Sequence, residues 1–434
     1  MQVKKHDWSS PALQDRLKRR HRSEALFRRF GGFAVLSAGA MLLFLLATIF
    51  SSAIDGFRHS EVKLTIPLSA PELASAAVGT QADRAAALQT AGLRRILLSA
   101  LRIEFPDVSG RSQSRRLLSI LSVGAQTKLE RRLLDKPELI GGTVTLWLPL
   151  SDDIDQSIKG KIDLTVAEAD RRISDIEQSW IAQLTEKNLI RTSFNFGFFT
   201  QGDSSEPEMA GIFGAAVGSA LTLFVTLVTS LPIGLLSAIY LEEFARKSFL
   251  TQIIEVNINN LAAVPSVIYG LLGLFLFLGV MNLPRSSPLV GGLTLALMTL
   301  PTIIIASRAA IRAVPDDIRL GAMALGASRM QVVFHHIIPV ALPGIMTGTI
   351  IGMSRALGET APLLMIGMVA FIVSAPESVT DPSTVLPVQI FLWSKGPERA
   401  FIEKTSAAIL VLILFLILMN AVAIWLRQRF DKRV

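Results

Sequence analysis

The chain contains no cysteine, which removes disulfide frameworks, thiolate metal sites and thiol nucleophiles together. It also lacks a phosphate loop. Gly160 and Lys161 are followed by Ile162, and Asp155 stands where the first glycine would belong, so any nucleotide chemistry must be supplied by a partner. The polar stretch 54–205 offers no metal-ligand spacing and no catalytic triad. Within it Asp152, Asp153 and Asp155 follow Pro149 without further ligands at calcium-loop intervals, and they read as a solvated turn. No catalytic residue, resident metal or cofactor is expected, and the chain is not read as an enzyme.

What is abundant is apolar surface. Half of the 434 residues are hydrophobic and only 18% are charged, with a mean hydropathy of +0.48. Long uncharged runs recur, which a soluble domain of this length would not carry, so the chain is read as an integral membrane protein in contact with membrane lipid. The net charge of +8 and pI near 9.9 do not point to nucleic acid. The basic residues flank apolar runs, as positive-inside topology predicts.

Six runs are long enough to cross a bilayer: 31–53, 211–240, 261–282, 288–307, 342–372 and 405–426. Lys4, Lys5, Arg16, Lys18, Arg19, Arg20, Arg22, Arg28 and Arg29 precede the first, which predicts a cytoplasmic N-terminus. No small-residue cleavage site follows, so 31–53 reads as an uncleaved anchor. Alternation then puts Arg246 and Lys247 inside, Arg285 outside, the Arg308–Arg329 loop inside, and the tail Arg427, Arg429, Lys432 and Arg433 inside.

Four segments result: a basic cytoplasmic stretch 1–30, the anchor 31–53, a domain 54–205 on the far side of the membrane, and a core 206–434 with five further spans. In 54–205, helical apolar spacing covers Leu88–Leu101, Leu117–Leu134 and Val166–Leu189, and Thr143–Leu148 alternates like a strand. About 150 residues support a core of their own, so a small α+β domain is expected. The fold class is therefore an all-α polytopic membrane protein with an inserted extracytoplasmic α+β domain.

Two features carry candidate function. In the fifth span, M-S-R-A-L-G-E-T-A-P-L places Arg355 and Glu359 four residues apart, on one helical face. Ions inside a bilayer cost about 2.5–3.5 kcal/mol on insertion scales and mark either a substrate route or a structural pair. Arg355 offers planar donors suited to an oxyanion, with Glu359 holding it. Arg308, at the end of the fourth span, is a second candidate that also fits an inside-positive anchor. The other feature is the loop 311–343, where Gly321, Ala322, Ala324, Gly326 and Ala327 precede Pro339. It predicts a short helix, a glycine turn and a second helix stopped by proline.

That loop resembles the coupling loop of an ABC importer permease, whose family pattern also has a proline thirteen residues after its glycine. Leu320 stands where the pattern has glutamate, and His336 and Ile338 replace its isoleucine and leucine. The runs S-A-I-Y-L-E-E-F-A, V-P-S-V-I-Y-G-L-L-G-L, R-A-L-G-E-T-A-P-L, L-P-V-Q-I and S-K-G-P-E-R-A-F follow in order. Together they are similar to the A-type permease subunit of the high-affinity phosphate importer, over about 195–434. The resemblance implies a type I ABC permease fold in a bacterial inner membrane, with both termini cytoplasmic. It implies as partners a second homologous permease subunit, a dimeric ATPase that binds ATP and magnesium, a periplasmic phosphate-binding protein, and inorganic phosphate as cargo. Arg355 and Glu359 would lie on the phosphate path, and 317–343 would contact the ATPase. A permease for sulfate, molybdate or phosphonate, or a membrane-anchored sensor using 54–205, remain as alternatives.

Overall fold

The computed structural model describes residues 11–69, 73 and 80–430, so Lys4, Lys5, Lys432 and Arg433 lie outside the described residues. Residues up to Ser52 form one unit and residues from Ala53 a second. The first is the bulk of helix α1 (Pro11–Gly56), whose apolar window has mean hydropathy 2.4. Its Leu36, Leu43 and Phe44 are exposed, as a lipid-facing span requires.

The second unit begins with an insert domain. Its order is β1 (Arg58–Pro67), α2 (Gln81–Thr90), α3 (Leu93–Glu104), α4 (Arg111–Leu118), α5 (Val123–Asp135), β2 (Thr143–Pro149), α6 (Asp152–Ile158), α7 (Asp175–Glu186) and β3 (Ile190–Phe194). The strands form one antiparallel sheet in the order β2-β1-β3. Val62, Leu64 and Ile66 alternate toward one face of β1 and meet Ile96, Leu97 and Leu101 of α3, Leu129 and Leu133 of α5, and Leu184 of α7. Burying each such side chain contributes about 1.5–3 kcal/mol, so the insert has a core independent of the membrane helices.

Three helix expectations within the domain need correction. Leu88–Leu101 is not one helix, because Gly92 turns left-handed (φ 64°) and separates α2 from α3. Leu117–Leu134 is broken between α4 and α5, where Ser122 accepts from Gly124 N to cap α5 and Leu121 bridges to Leu150. The helix expected over Val166–Leu189 is α7 alone, started by a reciprocal capping box of Ser174 and Glu177. The three aspartates are likewise not a solvated turn. They open α6, and Asp155 is buried, accepting from Ser60 N at 2.7 Å and facing Lys159 Nζ at 2.7 Å.

The remaining helices are α8 (Gly197–Thr200), α9 (Phe213–Ile239), α10 (Phe249–Ala262), α11 (Ser266–Gly273), α12 (Pro288–Arg312), α13 (Asp316–Ala324), α14 (Arg329–Gln331), α15 (Ile338–Gly358), α16 (Ala361–Met365), α17 (Leu386–Ser394) and α18 (Ala400–Phe430). Wide-turn π segments extend α9 to Phe244, α11 to Val280, and join α14 to α15. Among the described residues five helices, α1 included, are long and apolar enough to cross a membrane, and α10 with the extended α11 forms a bent pair that makes six if counted as one span. α12 lies centrally against α9 and α15. At Gly234, an added Cβ would come 2.7 Å from Ile303 Cγ2, and at Gly348 it would collide with Ala306. Small residues at these crossings let the backbones approach.

The third and fifth spans differ from expectation. The helix expected over 261–282 is bent by 104° against its predecessor at Ala263–Pro265. Pro265 lacks an N–H and drives the residue before it out of the helical region. The fifth span is not 342–372 but Arg329–Gly358. Pro339 does not stop it: Val332–Ile337, immediately before, is wound as a π turn, whose wider i→i+5 pitch gives the proline ring room.

Candidate functional site

Arg355 sits in the last turn of α15, where a cation complements the helix C-terminus. The helix ends at Gly358, and Glu359 follows in extended conformation (ψ 120°), so the two residues do not share a helical face as expected. The side chain of Glu359 still folds back, with Oε1 3.6 Å from Arg355 Nε. That is an ion pair and is too long for a hydrogen bond. Arg355 is 44% exposed along its side chain, and among the described residues its guanidinium donates no hydrogen bond. One residue before it, Ser354 Oγ bonds Asn420 Oδ1 of α18 at 2.7 Å, which fixes this end of α15 to the last helix.

Arg308 is placed elsewhere, at the far end of α12. It is not a free anchor: Nε bonds Glu242 at 3.2 Å and Nη2 bonds Glu255 at 2.8 Å. Arg312, one turn on, bonds both oxygens of the same Glu242. Glu243 takes Arg319 of α13 at 2.9 Å, and Arg319 also donates to the Ile311 and Val314 carbonyls. The acidic pair at the end of α9 thus ties α12 and the following hairpin to one point. Sequence reasoning quoted L-E-E-F without assigning these partners; carboxylates ending one apolar run and arginines ending another were the available signal.

The hairpin follows. α13 ends at Ala324, and after the cap residue Leu325 comes Gly326, whose φ of 88° reverses the chain. Nothing lies within 4 Å of where its Cβ would be, so backbone conformation alone selects glycine. Ser328 and Gln331 form a capping box that starts α14. Ala322 is buried with Val332, Val333 and Ile337 against Ala238 and Ile311, and Ala327 packs at the edge. Gly321, Ala324, Gly326 and Pro339 are exposed. So are Leu320, Met323, Leu325 at 91%, Met330 and Phe334. A loop facing water would not display this apolar set without a partner to cover it.

A third cluster, absent from the sequence reading, joins the insert domain to the start of the membrane helices. Lys159 Nζ, largely buried, bonds Asp155, Glu403 of α18 and the carbonyls of Asp55 and Arg58. Arg172 bonds Glu398, just before α18. Nearby, burial, together with Asp153 and Glu208, pushes the Asp152 carboxyl up to about 7. Burial also raises Glu208. Burial would raise Glu61 as well, but hydrogen bonds from His59, Lys128 and Arg191 hold it well below the usual range.

Residues 230–434 match the family model described as binding-protein-dependent transport system inner membrane component, and residues 14–168 match a domain of unknown function, DUF3333. "Probable ABC transporter permease protein YqgI" of Bacillus subtilis is 28% identical, over 56% of this chain and 86% of its own length. The phosphate transport system permease protein PstA of Yersinia pestis is 30% identical, over 49% of this chain and 71% of its own. Among solved structures, the inward-facing MetNI methionine ABC transporter aligns over 51% of this chain and 96% of that chain, at 17% identity and a TM-score of 0.41. The chain belongs to the binding-protein-dependent transport system inner membrane components as a PstA-type permease, a multi-pass inner-membrane transport subunit and not an enzyme.

Proposed function

We propose that this chain is the A-type membrane subunit of an ATP-driven importer of inorganic phosphate. Its likeness to PstA permeases supports the substrate, and Arg355 carries the site. A guanidinium at the end of a membrane helix, paired with Glu359 only at 3.6 Å, keeps its planar donors available to a tetrahedral oxyanion. Glu359 would hold Arg355 between passages of the anion.

The exposed apolar face of the hairpin, Leu320, Met323, Leu325, Met330 and Phe334, suits docking to an ATPase dimer that binds the ATP and magnesium. Leu320, in place of the family glutamate, makes that contact apolar. Movement of the hairpin would pass to α9 and α12 through Arg319–Glu243 and Arg308–Glu242. With the hairpin in the cytoplasm and α10 and the extended α11 counted as one crossing, alternation puts both termini inside and the insert domain outside. A second homologous permease and a periplasmic phosphate-binding protein would complete the machine.

The test is ATP-dependent uptake of labelled phosphate by the full complex in proteoliposomes. Unlabelled phosphate should compete and sulfate, molybdate and phosphonate should not. An assembled complex that takes up one of those instead would assign the other oxyanion reading, and no phosphate uptake would sink the substrate.

A further inference from the structure

The insert domain carries a cavity of about 460 Å³ between β1, β3, α5 and the segment 195–209 that leads to α9. Lys128, Arg131 and Arg191 line it, opposed by Glu61 and Glu208. Glu61 is buried and occupied: Lys128 Nζ reaches it at 2.6 Å, and Arg191 grips it through Nε and Nη2 at 3.0 and 2.7 Å. That grip positions two cations while leaving each with further N–H groups to donate. Arg131 is exposed and carries no partner among the described residues. Two more polar atoms at the wall are buried without a hydrogen bond, His59 Nδ1 and Asn195 Nδ2, and Asn195 is only 3% exposed. Buried polar groups of this kind are normally satisfied by water or a ligand.

The floor is different. Phe196 and Phe194 also line the cavity and remain 72% and 46% exposed. The backbone ties this floor to the membrane helices: Phe213 N, at the start of α9, bonds the Gln201 carbonyl, and Ile212 N bonds that of Phe198. Exposed apolar rings beside membrane helices mark a surface suited to contact with lipid. The cations stand about three residues up the β1–β3 ladder, since Glu61 pairs with Arg191 and Arg58 with Phe194. That rise is roughly 10 Å in a strand, so the cations and the apolar rings occupy separate ends of one cavity.

We propose that this cavity binds a phosphate-bearing anion, and the exposed ring floor points to the headgroup of an anionic phospholipid as its source. The site is independent of the translocation path and of the transported substrate. The full chain would be purified in detergent and titrated with dioctanoyl-phosphatidylglycerol and dioctanoyl-phosphatidylcholine under native mass spectrometry, and with labelled inorganic phosphate by equilibrium dialysis. Arg131→Glu is the informative variant because Arg131 has no partner among the described residues; Arg132→Glu, one residue along and outside the cavity, is the control. Phosphatidylglycerol should bind over phosphatidylcholine, weaken roughly tenfold with Arg131→Glu, the scale of one charge-assisted contact, and be unchanged by Arg132→Glu. Arg131→Gln should give a smaller loss. Arg131-dependent binding of inorganic phosphate without the lipid would keep the anion site and make its source soluble. Binding of neither, or binding insensitive to Arg131, would overturn the proposal, as would phosphate binding that only Arg355→Gln removes.

Discussion

Single side chains decide two behaviours. Among the described residues the Arg355 guanidinium has one ion-pair partner, at 3.6 Å, and no hydrogen bond to lose. Arg355→Gln should therefore leave assembly and thermal stability close to wild type while abolishing most labelled phosphate uptake. Arg355→Lys should restore only part of it, because a point charge lacks the planar fork. If uptake survives Arg355→Gln in an intact complex, the pair is scaffolding. Asp152 gives a pH prediction. Burial first, then Asp153 and Glu208, raise its carboxyl from 3.8 to about 7, so the folded state holds this proton more tightly than the unfolded chain. Its contribution is complete below pH 3.8 and is lost as pH rises through about 7. Thermal unfolding of the insert domain, followed between pH 5 and 8, should show falling stability that Asp152→Asn flattens. An unchanged slope in Asp152→Asn would assign the dependence to another group.

Helices and turns set how motion reaches the membrane. Gly326 has open space around it and a φ of 88°, so Gly326→Ala fails by backbone strain of about 1–2 kcal/mol and not by collision. The expected result is a hairpin that still forms but docks poorly, seen as phosphate-stimulated ATP hydrolysis reduced several-fold with the permease pair still associated. Wild-type coupling in Gly326→Ala would show that the turn tolerates another conformation. Most spans were legible because a run of apolar residues has to be satisfied by helix inside a bilayer. Their ends were less so. The chain bends by 104° at Pro265, whereas Pro339 passes through a continuous helix because a π turn precedes it. The difference lies in hydrogen-bond register, which one-letter spacing does not carry.

Across the molecule, ionic contacts help hold the insert domain to the membrane helices, buried at Lys159–Glu403 and exposed at Arg172–Glu398. Lys159 alone spans Asp155, Glu403 and two carbonyls near residues 55 and 58. Lys159→Met should take the shared donor from Asp155, Glu403 and both carbonyls, a loss of several kcal/mol in scale. The expected readout is faster hydrogen exchange over α6 and the start of α18, with the sheet β2-β1-β3 still protected by its own core; exchange unchanged at both places would mean that the clasp is dispensable. The sequence by itself determined the membrane class, the glycine turn at Gly326, the Arg355–Glu359 proximity and the presence of an inserted α+β domain. Each rests on local spacing or on the cost of placing polar groups in lipid. Only the tertiary structure decided that Asp155 is a buried acceptor, that Arg308 is paired with Glu242 and Glu255, and that Lys128, Arg131 and Arg191 face one cavity. Those side chains meet across distances of 50 residues and more along the chain, and only the packing of separate elements brings such charges within hydrogen-bonding reach.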